Sequence, residues 1–111
     1  MSAPFVLSVH SFTPQPQTAN AVRPTEIGLL MRHDEASAHA FAAQLEAHPR
    51  GFKMGINKPY SAYDLNHTVD FHLAPRGLAH LAIEIRQDLV DTDDKARDMA
   101  DILAVCLAPL L

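Results

Sequence analysis

Residues 78–85 (LAHLAIEI) alternate, so they read as a β-strand with Leu81, Ile83 and Ile85 on one face and His80, Ala82 and Glu84 on the other. A different period follows. Thr92 or Asp93 is placed to cap a helix carrying Ala96, Met99, Ala100, Leu103, Leu107 and Leu110 on one side. The same succession occurs earlier in the chain. Residues 26–31 read as a strand, and Asp34 then caps a helix whose stripe is Ala38, Phe41, Ala42 and Leu45, stopped at His48-Pro49-Arg50-Gly51. Residues 4–9 form a nearly continuous apolar run, the pattern of a strand covered on both faces. Residues 13–24, with Pro14, Pro16 and Pro24, read as a loop, 52–56 as a third short strand, and 66–74 as a helix closed near Pro75-Arg76-Gly77. Strands alternating with helices predict an α/β layer structure with a largely parallel sheet.

Composition narrows the function. The chain has 111 residues, enough for one domain over 1–111, and a formal net charge of −4 with dispersed cations, which disfavours a nucleic-acid surface. The single cysteine, Cys106, precludes an intrachain disulfide and suits a reducing, cytoplasmic compartment. No apolar run approaches the ~20 residues of a membrane span, and no signal-peptide pattern is visible.

In open α/β sheets, sites collect beyond the carboxyl ends of the strands. Three segments are expected to bring polar groups there: His10 after the first strand, Asn57 after the third, and Glu84 with Arg86 on the last. His10 is either a metal ligand or a histidine satisfied by loop hydrogen bonds, since no second ligand lies two to four residues away. Glu84 is either a general base whose pKa is raised by burial or the partner of Arg86, two residues along on the same face. His33, His39 and His48 read as solvated, and His80 as a strand-face residue near the sheet edge. His67 and His72 are poorly spaced for one metal, and Cys106 belongs to the apolar side of the last helix.

The segments HSFTP (10–14), RPTEIGLL (23–30), GINKPYS (55–61), HTVDFHLAPRGL (67–78) and IEIRQDLV (83–90) occur in this order. Together they resemble the C-terminal half of the N-formylglutamate amidohydrolase family, itself similar to the zinc-dependent exopeptidases. The resemblance implies a layered α/β/α fold with a mixed, largely parallel sheet. It also implies zinc-dependent hydrolysis of a small N-acyl amino acid, N-formyl-L-glutamate, as in histidine degradation. On that likeness His10 is a zinc ligand, Glu84 the general base, Asn57 and Tyr60 substrate contacts, and Arg86 a charge balance near Glu84. This chain departs from the family pattern at Lys58, commonly acidic, and at Thr25-Glu26, commonly an aromatic-His pair. The Asp-His-Ala type motif and the Asn-Arg pair of the family's N-terminal half do not occur in it. The expectation is therefore an incomplete zinc site, completed by a missing N-terminal half or by self-association. The alternative is a non-catalytic α/β module that binds a partner chain.

Overall fold

The structure, a computed structural model, describes residues 5–15, 22–30, 34–57 and 76–111. Its strands are β1 (Phe5–Phe12), β2 (Ile27–Leu30), β3 (Met54–Ile56) and β4 (Ala79–Arg86), and its helices are α1 (Glu35–Ala47) and α2 (Asp93–Leu107). The strands form one sheet in the order β1-β4-β2-β3. β1 runs parallel to β4, β2 runs parallel to β3, and the two pairs meet antiparallel along β2 and β4. The result is a mixed, mostly parallel α/β fold, with β2, α1 and β3 forming the crossover unit that parallel neighbours require.

The alternation in β4 decides where the core lies. Leu81, Ile83 and Ile85 face the same side as Ile27 and Leu29 of β2. They pack there against Ala38, Phe41 and Leu45 of α1 and Met99, Leu103 and Cys106 of α2. Both described helices therefore cover one face of the sheet. On the opposite face the described residues include no helix, yet Leu30, His80, Ala82 and Glu84 are buried there too. The proposed 66–74 helix falls outside the described residues.

Local chemistry starts and stops the helices. Asp34 accepts hydrogen bonds from the Ser37 amide (3.1 Å) and hydroxyl (2.6 Å), and Thr92 accepts one from the Lys95 amide (3.2 Å). Asp93 and Asp94 sit in the first turn of α2, where the helix dipole favours negative charge. After α1 the chain reverses at Gly51, whose φ of +69° lies in the left-handed region that favours glycine. No described helix is long and apolar enough to cross a membrane.

Two strands differ from expectation. β1 extends through His10 to Phe12 because β4 supplies partners as far as Arg86. Among the described strands β1 is also at an edge, with Leu7 36% and Val9 46% exposed, and is not covered on both faces as its apolar run suggested. His80, expected near an edge, lies on the interior strand and is buried.

Asp34 ties these layers together, since it also accepts the backbone N–H of His80 at 3.0 Å. Burial alone would push the Asp34 carboxyl up, but the hydrogen bonds from Ser37 and His80 outweigh it and hold the pKa below the ordinary 3.8. A depressed folded pKa means that the unfolded chain binds the proton more tightly. The stability it confers is thus complete above the ordinary value and is lost as pH falls through the lower folded one. Asp34→Ala should lower stability by about 1–2 kcal/mol at pH 7. Asp34→Asn, which keeps a capping oxygen, should lose less and show a shallower acid-side decline. Urea unfolding between pH 2 and 7 measures both.

Candidate active site

The face of the sheet opposite the helices carries the polar residues of β4. Parallel pairing sets His10 directly beside Glu84, antiparallel pairing sets Gly28 on the other side of Glu84, and Gly55 follows next to Gly28. One row across the sheet thus reads His10, Glu84, Gly28, Gly55. An imidazole flanks the carboxylate on one side, and two residues without side chains flank it on the other. Gly28 and Gly55 were not singled out from the sequence, although a glycine inside a strand pattern signals close approach of another group.

Glu84 is only 8% exposed, whereas His10 is exposed. Burial pushes the Glu84 pKa above its ordinary value, and the nearby His10 imidazole, which pulls it down, offsets this only in part. No described residue donates a hydrogen bond to this carboxylate. A carboxylate raised in this way is a stronger base than an ordinary one.

Arg86 does not serve as its counter-ion. Its guanidinium grips Asp88 through Nε (2.7 Å) and Nη2 (3.0 Å), and Nη1 donates to the Arg23 carbonyl at 2.8 Å. The hydrogen bond from Arg86 holds the Asp88 carboxyl below its usual range. The alternative reading of Glu84 as half of a Glu84–Arg86 salt bridge is therefore not realised. The function of Arg86 in the fold is to fasten a corner. Arg23 in turn donates its backbone N–H to Pro14 (2.7 Å) and a guanidinium N–H to Thr13 (3.2 Å), and its cation lies 5.7 Å from the Phe12 ring centroid. The turn after His10 is thereby joined to the start of β2 and the end of β4.

Asn57 lies elsewhere. β3 runs opposite to β1 and β4, so its carboxyl end points to the other end of the sheet. Asn57, at φ 54°, donates its backbone N–H to Leu29 at 2.7 Å. It sits two strands across and two residues along from Glu84, roughly 10 Å by 7 Å at ordinary sheet spacings. The three polar groups therefore do not meet beyond a shared set of carboxyl ends: His10 and Glu84 are adjacent, and Asn57 is apart from them. Tyr60, His33, His67 and His72 lie outside the described residues.

The other buried polar groups of the described fold are structural. His80 bonds through Nδ1 to the Leu78 carbonyl at 2.8 Å, and four residues of strand, about 13 Å, separate it from Glu84. Glu26 accepts from the Lys53 amide (2.9 Å) and Arg50 Nη2 (3.2 Å), fixing the start of β3. Among the described residues no three His, Cys, Asp or Glu side chains cluster as a metal site would require. His10 and Glu84 alone fall short of the three protein ligands of a catalytic zinc.

No curated protein matches the chain. Among solved structures it is similar to the crystal structure of gene product Atu2144 from Agrobacterium tumefaciens, at 31% identity and a TM-score of 0.75. The match covers 95% of this chain and 43% of that one, so the chain spans less than half the length of this relative. The N-formylglutamate amidohydrolase family profile matches residues 1–90, and the chain belongs to that family.

Proposed function

We propose that this chain forms the base-bearing part of a zinc-dependent amidohydrolase that cleaves N-formyl-L-glutamate to formate and glutamate in the cytoplasm. The observation that carries the reading is the register of β1 on β4, which sets a buried carboxylate with a raised pKa beside an exposed imidazole. Family membership supplies the reaction class.

In this reading Glu84 takes a proton from the water that attacks the formyl carbon, then passes it to the leaving amine nitrogen of glutamate. Gly28 and Gly55 place no side chain of their own beside that carboxylate. His10 would hold the zinc, which when bound polarises the carbonyl and acidifies water. The described residues do not complete its ligand set. Asn57 and Tyr60 are proposed to contact the substrate. Arg86 keeps the Glu84 corner in place through Asp88 and the Arg23 carbonyl.

The direct test compares the 111-residue chain with a chimera in which the part of the Agrobacterium chain outside the match is joined ahead of Met1. Zinc content and formate release are measured for both. Negligible zinc and turnover are expected for the chain alone, and both should appear in the chimera. Efficient hydrolysis by the chain alone would overturn the incomplete-site reading. A folded, zinc-loaded chimera without hydrolysis would overturn the substrate assignment.

Two substitutions in the active chimera separate the roles of the pair. Glu84→Gln should lower the rate by on the order of 10²–10⁴-fold while zinc is retained. In the metal-free 111-residue chain the same change should raise the melting temperature at pH 7. A carboxyl whose folded pKa is raised favours the fold below its ordinary value and loses that advantage as pH rises through the folded pKa. The gain should accordingly disappear below about pH 4. His10→Ala should instead lower zinc retention along with rate, by on the order of 10–100-fold or more in metal affinity.

A further inference from the structure

We propose that the outer edge of β1, together with the groove between β1 and α2, is the seam on which the rest of a complete N-formylglutamate amidohydrolase fold docks. The occupant is a strand-bearing polypeptide corresponding to the part of the Agrobacterium chain that this chain does not match.

Three observations converge on this edge. The first is the exposure of an unusually apolar edge strand. Edge strands are ordinarily blunted by charge, proline or brevity, yet β1 is eight residues long and contains no charged residue apart from the titratable His10. Leu7 and Val9 stand out on the helix-bearing face at 36% and 46% exposure. Such a run fits a strand with neighbours on both sides.

The second is the groove beside it. Val9 and Ile85 on the sheet, Val90 after β4, and Ala96, Met99 and Leu103 on α2 line an open trough of about 440 Å³. Its lining is mostly apolar, and it is continuous with the exposed side chains of β1. A segment pairing with β1 would place every second side chain against this trough.

The third is the position of His10. It is carried by β1 itself, two residues from the carboxyl end of the strand, with too few metal donors around it among the described residues. A polypeptide seated along β1 comes closest to the exposed imidazole. The relative extends for more than half its length beyond the match, which is ample chain to supply such a strand. The inference rests on the reading of this chain as part of a larger enzyme, but not on the chemistry of Glu84.

The experiment reads amide hydrogen exchange in β1, for the chain alone and for the chimera, with the amides of α2 as the check of folding. In the isolated chain the alternate β1 amides that point away from β4 should exchange freely. In the chimera they should slow by about 10²-fold or more. The double substitution Leu7→Lys/Val9→Lys should return them to fast exchange while α2 stays protected. Val105→Lys, at an exposed apolar site on α2 outside the groove, should change nothing.

A second arm co-expresses the two segments as separate chains. One-to-one co-elution is expected, abolished by the same lysine pair. Unprotected β1 amides in a chimera with protected α2 overturn the proposal, as does protection that survives the double substitution. Failure of both arms overturns it as well. An isolated chain that runs as a dimer, with β1 already protected, assigns the edge to a second copy and overturns the stated occupant. Glu84→Gln should leave protection intact. A protected but inactive chimera therefore counts against the proposed reaction alone, and an active chimera with unprotected β1 counts against the seam alone.

Discussion

The strand register of β4 is the constraint on which the rest of this domain depends. β4 pairs on both sides, with β1 in parallel and β2 in antiparallel orientation. Its odd-numbered residues Leu81, Ile83 and Ile85 enter the core beside Phe41 and Leu103, and each is almost wholly shielded from water. A slip of one residue would turn all three away from the helices and drive His80 and Glu84 into the apolar layer, so core packing specifies the register strongly. The placement of Glu84 follows from that packing. Once three apolar side chains point to the helices, the residue between the last two must point to the opposite face, next to whatever β1 and β2 present there.

What they present is unusual for a carboxylate. Glycine on one side and an exposed histidine on the other leave Glu84 buried without a described donor, while the cation nearest in sequence is committed to Asp88 and to the Arg23 carbonyl. Burying a carboxylate carries a desolvation cost, and Glu84 offsets it with no donor among the described residues. Glu26 shows the contrast within the same fold, since its two oxygens are taken by the Lys53 amide and Arg50. The difference between these two glutamates is the physical ground on which a chemical role is proposed for Glu84 and not for Glu26.

The sheet also has a directional character that bears on function. β1 and β4 point one way, and β2 and β3 point the other. Polar groups at strand ends therefore divide between the two ends of the sheet. His10 and Glu84 are neighbours because they share a row in a parallel pair, not because both strands end there. The Arg86–Arg23 corner then holds the turn after His10 against the start of β2, so the imidazole is supported by a fixed backbone.

Much of this was legible in the sequence, because much of it is local. The period-two face of 79–86, the caps at Asp34 and Thr92, the stop at Gly51 and the core placement of Cys106 all depend on residues a few positions apart, and the structure has each of them. The conspicuous residues His10 and Glu84 were visible as chemistry, one at an apolar strand's end and one inside an alternating strand. Their adjacency was not, since pairing between residues 74 positions apart depends on which strands become neighbours and in which direction. The same reason explains the other differences. An apolar run does not reveal whether its strand is central or at an edge, so β1 was expected to be covered and is partly open. Strand direction relative to distant strands leaves no periodic trace, so Asn57 was expected near Glu84 and lies two strands away. Arg86 shares a face with Glu84 in sequence, but the turn at Gln87–Leu89 brings Asp88 back to its guanidinium at 2.7 Å. Local spacing determined which face each side chain occupies; only the tertiary pairing of strands decided which side chains meet, because that choice is made by the packing of the whole core and not by any one segment.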